Sequence, residues 1–352
     1  MSEHAIEVTK ILSLSPHPNA DNLEFAGVFG FQSLVAKGQY KVGDLVAFVI
    51  PDSIVDTSLE PFVFLADKAK SNGTHRIRAI KLRGAYSQGL IIPAPEGTVE
   101  GQDIAEMLNI KHYDPAEPQM QIPGQSRRQA PLYPAPEGIE NITYDMENMR
   151  KFPKVLEGEV VVATEKLDGT NFRIVFTGGK LHVGSHRQWR NPDDPADYWW
   201  AMIKKNPNLI SLAERYPDTV FFGEIYGGIG RLKYGENSAL KASIVVFDAY
   251  EKGTFLDIQD LVERLSIFFV PTPRSIYLDW YDKDKLLALA ERDSGYGGGI
   301  SEGIVVRTLR EIPDRFTRRK VLKIVSNAYL TLKEAKEDTK HYKQVLTAEQ
   351  MF

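Results

Sequence analysis

The chain has 352 residues, with 43 Lys and Arg against 47 Asp and Glu, a formal net charge of −4 and 43% hydrophobic residues. That length supports one or two domains with cores of their own, and the mild acidity argues against a protein that coats nucleic acid non-specifically, while saying little about a local cleft. Cysteine is absent, which excludes disulfides, thiolate nucleophiles and sulfur-bound zinc, so any metal must rest on oxygen or imidazole. The opening MSEHAIEVTK is acidic and mixed rather than basic and apolar, and no run of about eighteen apolar residues occurs, so a cytoplasmic, non-membrane protein is the expectation.

Residues 5 to 50 alternate short apolar runs with turn signals (PHPNAD, KGQYKVGD), the rhythm of a small all-β barrel. Between Ser71 and Gly89 lies a stretch with Arg76, Arg78, Lys81, Arg83 and His75 and no acid. On one strand Arg76 and Arg78 share a face and Lys81 and Arg83 fall on the other parity, unless a bulge resets it. The Pro-rich text from Asp114 to Gly138 reads as a linker and sets a domain boundary. Beyond it, strand-like runs (EVVVAT, NFRIVF, TVFFGEIY, SIVVFDAY, GIVVRT, VLKIVS) mix with helical stretches (YWWAMIKKNPNLISLAERY, LDIQDLVERLSIF, DKDKLLALAERDS), an α+β pattern without internal repeats. The tail from Arg315 is basic and is expected to end in a short helix.

The strand EVVVAT runs into EKLDGTN, placing Lys166 at a strand end with Asp168 two residues on and Gly169 permitting a tight turn. A lysine is nucleophilic only as the neutral amine, which desolvation or a nearby cation promotes. Asp168, Glu224 in FFGEIYGG and Glu302 in SEGIVVR supply hard oxygens for magnesium or manganese, each beside a glycine and a strand-like run. Lys323 in VLKIVS adds a fixed positive charge. A lysine plus metal suits attack on phosphorus, whose transition-state charge cations stabilise. No Walker A or dinucleotide fingerprint competes for that role.

In order, EKLDGTN, FFGEIYG, VVFDAY, SEGIVVR and VLKIV resemble motifs I, III, IIIa, IV and V of the covalent nucleotidyltransferase superfamily of ligases and capping enzymes. SPHPNADNLEFAGV resembles the signature of OB-fold RNA-binding domains. Together they resemble the fifth, Deinococcus and Naegleria type, family of ATP-dependent RNA ligases. The resemblance implies an all-β OB-fold barrel over 1–115, a linker over 116–140, and over 141–352 an α+β, ATP-grasp-like nucleotidyltransferase domain with antiparallel sheets. It further implies that Lys166 attacks the α-phosphorus of ATP to hold AMP, which passes to an RNA 5′-phosphate before a 3′-hydroxyl seals the break. Glu165 would read the adenine amino group, Phe247 stack on the base, and Asn171, Arg187 and Arg150 (or its neighbour Lys151) contact ribose or phosphates. Asp168, Glu224 and Glu302 would hold the metal through its waters, with Glu224 alternatively on the ribose, and Lys323 would bind the α-phosphate. One departure is Val321, where relatives often carry the first lysine of Lys-x-Lys; either Lys320 or Arg319 replaces the missing charge or the site uses one lysine. The substrate implied is RNA, in a nicked duplex with 3′-hydroxyl and 5′-phosphate ends, and a monomer is the simplest state.

Plainer readings accompany these. Trp199 and Trp200 are expected to be packing, His17 structural, and His182 with His186 not a metal pair. The Arg76–Arg83 stretch leans towards RNA phosphates, and the run Arg318, Arg319, Lys320 is balanced between RNA and structure. A DNA ligase or capping enzyme is the catalytic rival, disfavoured because 29 residues after Lys323 are too few for a further barrel. A catalytically inactive RNA-binding protein is the rival from another class.

Overall fold

The computed structural model describes residues 4–113, 133–236, 241–297 and 299–332. These divide into two compact units: 4–113 with 148–153 and 327–332, and 133–147 with 154–326. No helix among the described residues is long and apolar enough to cross a membrane.

The first unit is built of short antiparallel strands, as the turn-punctuated sequence implied. Val8–Lys10 and Leu90–Pro93 flank Leu45–Val49; Ser13–Pro16, Leu23–Val28 and Phe31–Ala36 form a meander; Ser53–Asp56 lies between Thr74–Arg76 and Lys111–His112. The strands sit in separate sheets and a hairpin rather than in one closed ring, and a 3-10 helix, Glu60–Lys68, interrupts the all-β pattern. His17 is structural: buried, it stacks on Phe25, contacts the Leu82 carbonyl through Nε2, and accepts the Asn19 N–H at Nδ1.

The basic stretch is not one strand. Thr74–Arg76 and Ile80–Leu82 are separate, joined by irregular chain. Arg76 donates from Nε to Asp52 Oδ1 at 2.9 Å and lies 3.8 Å from the Tyr113 ring centre. An ion pair and a cation–π contact therefore occupy the guanidinium expected to face phosphates. Lys81 lies over the Tyr86 ring and remains exposed.

The second unit contains two antiparallel sheets. In one, Gly303–Thr308 lies between Val321–Val325 and Val160–Lys166, and Ser275–Trp280 forms the edge beyond the latter. In the other the order is Lys180–Ser185, Gly169–Thr177, Val220–Tyr226, Ser243–Glu251 and Thr254–Phe255. All six anticipated strands are present, and the segment around His182, expected as strand and turn, is the strand Lys180–Ser185; Ser275–Trp280 was not foreseen. The long helical stretch is two helices, Tyr198–Lys204 and Pro207–Arg215, because Pro207 begins a new first turn.

Alternation along the second sheet separates core from site. Phe172, Ile174, Phe221, Ile225, Ile244 and Val246 point into a core shared with the helices Tyr198–Lys204, Pro207–Arg215 and Ile258–Ile267. Trp199 and Trp200 are buried, their indole N–H groups donating to the carbonyls of Asn171 and Arg190, so both are packing residues. The opposite parity carries Asn171, Glu224, Val245 and Phe247. Part of the expected linker belongs to this unit: Tyr133, Ile139 and Ile142 pack with Tyr144, Val175 and Phe222. Residues 116–132 and the tail beyond 332, where the short terminal helix was expected, lie outside the described residues; Asn327–Leu330 is a short helix before them.

Candidate active site

The first sheet presents Val162, Thr164, Lys166, Val305, Arg307, Val321 and Lys323 on one face, and the second presents Asn171, Glu224, Val245 and Phe247. Together with Ile258, Leu261, Val262 and Pro273 these line a cavity of about 410 Å³. Its walls are mostly apolar, with Lys166 and Glu224 at the end where Lys166 pairs with Gly303 and Arg307 further along, the form of a small-molecule site with a few polar groups fixing orientation.

At that end Lys166 Nζ donates to Glu302 Oε1 at 2.6 Å. Asn171 Nδ2 donates to Glu224 Oε2 at 2.6 Å, the two residues facing each other across paired strands. Gly169 makes the junction possible: a β-carbon there would lie 2.0 Å from the Ile225 carbonyl oxygen and 3.1 Å from Glu224 Oε1. Burial pushes Glu224 up to about 8; Lys166 opposes this, and Glu302 and Asp168 add to it. Burial likewise raises Glu302 against the pull of Lys166. For Lys166 burial works downward, but Glu302, Glu224 and Asp168 outweigh it and hold the amine above its ordinary value. The neutral amine required of a nucleophile is thus not the state these carboxylates favour by themselves.

A divalent ion fits this group. Glu302 Oε2 is buried without a hydrogen-bond partner, and the clustered carboxylates beside it are charged only at a cost that a cation would remove. Among the described residues no three acids or histidines converge closely enough to ligate one ion directly. Asp168 differs from the other two. Its Oδ2 accepts the backbone N–H groups of Arg231 and Leu232 at 2.5 and 2.6 Å, and its own N–H donates to the Tyr234 hydroxyl.

Other expectations meet the structure unevenly. Phe247 lines the cavity, 4.9 Å from the Tyr144 ring centre, and Lys323 lines it with Nζ 3.6 Å from Asp145. Glu165 borders the cavity, with its carboxylate bonded within the protein. Strand alternation turns it away from Lys166, and it is bound by Arg292 Nη2 (2.6 Å), Ser294 Oγ (2.5 Å) and the Gly295 N–H (3.0 Å). Arg187 is exposed, and its neighbour His186 lines the cavity in its place. Arg150 belongs to the first unit, where its carbonyl accepts the Gly30 N–H, and Lys151 there pairs with Glu7.

Neither proposed substitute for the lysine absent at Val321 faces the cavity. Lys320 pairs with Glu159 at 2.5 Å, and Arg319 binds Glu311 and Asp248, so these two are structural, whereas Arg318 is exposed. Sequence reading missed the cation opposite Val321, which is Arg307. It is buried, lines the cavity, and stands 3.3 Å from Asp248. Burial disfavours charge on Asp248, but Arg307 and Arg319 outweigh it and hold the carboxyl below the usual range. An acid within the apolar run VVFDAY and an arginine ending GIVVR were the signals available in the sequence.

Residues 159–325 match the RNA ligase family model, and residues 5–94 match an OB-fold domain model. No curated protein sequence matches the chain. Among solved structures the chain is similar to Naegleria gruberi RNA ligase with pyrophosphate, at 22% identity and a TM-score of 0.75, over 96% of this chain and 99% of that one. A variant of the same enzyme with ATP and manganese matches at 21% and 0.75, covering 93% and 98%, and another with AMP and manganese at 22% and 0.75, covering 95% and 100%. At such identity the likeness establishes the fold, over nearly the whole length of both chains. The chain thus has the fold of that enzyme, with residues 5–94 matching the OB-fold model and residues 159–325 matching the RNA ligase family model.

Proposed function

We propose that this chain is an ATP-dependent RNA ligase acting through a lysyl-adenylate on Lys166. The observation that carries the proposal is the placement of Lys166 Nζ, 2.6 Å from Glu302, at the charged end of an apolar cavity of nucleoside size. With the base between Phe247 and the valines of the opposite sheet, the α-phosphorus comes to Lys166. The amine forms a P–N bond there and pyrophosphate leaves with the electrons of the broken P–O bond. Next an oxygen of an RNA 5′-phosphate attacks the same phosphorus, the P–N bond breaks, and Lys166 is regenerated. A 3′-hydroxyl then attacks the activated 5′-phosphorus, forming the phosphodiester and releasing AMP.

Glu302 and Glu224 would hold magnesium or manganese through water, with Asp168 beside them; the ion supplies positive charge that favours the neutral amine and stabilises phosphoryl oxygens. Lys323 opposes charge on the α-phosphate, and Asn171, fastened to Glu224, presents its amide to ribose or phosphate. The Naegleria structures carry ATP, AMP, manganese or pyrophosphate, which supports the same ligands here. We assign the OB-fold unit to RNA binding, and sealing of nicked duplexes in RNA repair, by a monomer in the cytoplasm, as the physiological setting.

Incubation with α-labelled ATP and a divalent ion tests the reading. Acid-stable label on the wild-type chain, none on Lys166→Ala, and discrimination against GTP are expected. Equal labelling of Lys166→Ala would remove the nucleophile assignment, and an unlabelled wild type that binds RNA would favour the inactive binding module.

A further inference from the structure

The residues flanking Lys166 each fasten a glycine-rich loop. On one side Asp168 holds the loop 227–236 (GGIGRLKYGE) by accepting the N–H groups of Arg231 and Leu232, while the Tyr234 hydroxyl of that loop accepts the Asp168 N–H at 2.7 Å. On the other Glu165 holds the segment 292–297 (RDSGYG) through Arg292, Ser294 and Gly295. The two loops meet ring to ring. Tyr234 and Tyr296 lie 6.2 Å apart, and Tyr226, at the end of the Glu224 strand, lies 5.7 Å from one and 5.2 Å from the other, all edge to face. Arg274 completes the join, its N–H donating to the Tyr296 hydroxyl.

This assembly stands at the Lys166 end of the cavity. Gly169 pairs with Tyr226, and Lys166 pairs with Gly303, whereas Val305 and Arg307 run from there towards the apolar end. A nucleotide with its base among the valines has its phosphorus at Lys166 and the tyrosine assembly beyond it. Arg231 lies on the loop 227–236, and its charge is felt at Glu302, where it opposes the burial that raises that carboxyl. Lys233 is exposed on the same loop. Four glycines of the loop adopt left-handed φ (65° to 83°), which lets the chain fold back so that the Gly228 N–H donates to the Lys233 carbonyl while the Arg231 and Leu232 N–H groups reach Asp168.

We infer that the loops 227–236 and 292–297, joined by Tyr226, Tyr234 and Tyr296, form the surface that receives the phosphorylated 5′ end of the RNA chain. The inference rests on the ligase reading and adds to it the place of the second substrate. The cations Arg231 and Lys233 meet the terminal phosphate, and phenol rings meet the adjoining nucleoside, the pairing of charge with aromatic surface that single-stranded nucleic acid requires. The clasps explain why this surface is in register with the nucleophile: both anchoring carboxylates lie within two residues of Lys166 in the chain.

The test uses the full chain and an RNA oligonucleotide bearing a 5′-phosphate, beside the same oligonucleotide with a 5′-hydroxyl. Binding is read by fluorescence anisotropy without nucleotide or metal, and lysyl-adenylate formation is read separately with labelled ATP. Lys233→Glu and Tyr296→Leu should each weaken binding of the 5′-phosphate oligonucleotide about tenfold, while label transfer from ATP stays within about twofold. Lys233→Glu should also remove most of the preference for phosphate over hydroxyl. Unchanged oligonucleotide binding in both variants overturns the inference. So does a Lys233→Glu variant that is slowed only in adenylate formation and its reversal by pyrophosphate, because the cation would then serve the leaving group. Wild-type protein that takes no label but binds the 5′-phosphate end in a Lys233-dependent way would sink the ligase reading and leave this surface standing.

Discussion

Glu224 should cost the protein stability in the pH range where it works, and Glu224→Gln exposes that cost. The carboxyl is pushed up from an ordinary value near 4.5 to about 8, chiefly by burial. A folded-state pKa above the unfolded one means that the native state binds the extra proton. The group's contribution is therefore fully present below about 4.5 and lost as pH rises through about 8. At about 1.4 kcal/mol per pH unit this window has a ceiling of about 5 kcal/mol, and sharing of charge with Lys166 brings the expected loss to about 2 to 5 kcal/mol. Glutamine keeps an acceptor for the Asn171 amide and carries no charge. Denaturant unfolding at intervals from pH 5 to 9, in chelator, should show the variant gaining on wild type as pH rises, by about 2 kcal/mol or more at pH 8, while its lysyl-adenylate formation collapses. Added manganese should stabilise wild type more than the variant, increasingly so at higher pH. A difference between the two that is flat with pH, or that favours wild type as pH rises, would refute the view that a strained carboxylate waits for a cation.

Phe247→Ala should raise the KM for ATP about tenfold or more, whereas Phe247→Tyr should stay near wild type, stacking being worth about 1–3 kcal/mol; equal KM values in steady-state adenylation would place Phe247 in packing alone. Val321→Lys restores the motif of relatives but sets a second cation opposite Arg307 in a wall where Val321 is 3% exposed. It should lower stability by about 2 kcal/mol or more without faster adenylation, and a stable, faster variant would contradict the assignment of the local charge to Arg307. Gly169→Ala forces apart a contact of 2.0 Å against the Ile225 carbonyl, so melting should fall by the equivalent of about 1–3 kcal/mol and adenylation should fall with it; an unchanged melting temperature would show that the strand junction yields freely.

Local patterning alone identified much of this protein. Period-two apolar runs marked the strands that carry Lys166, Glu224, Phe247 and Lys323 and the one that Glu302 precedes, because side-chain alternation is a property of the strand and survives any tertiary context. The glycine beside each acid was equally legible, since backbone close approach depends on one residue type. Proline at 207 broke a helix that periodicity alone would have continued.

Which partner each charge takes was decided by tertiary structure. Glu165, Asp168, Arg76, Arg319 and Lys320 all had plausible ligand roles in the sequence, and each is bound to groups between 8 and 161 positions away in the chain. Arg307 became a candidate only when the register of Gly303–Thr308 against Val321–Val325 set it opposite Val321. A long charged side chain reaches several ångströms in any direction and its energy depends on what it meets there. Composition and spacing hold no record of that encounter, so apolar alternation could be read in advance and the pairing of charges could not.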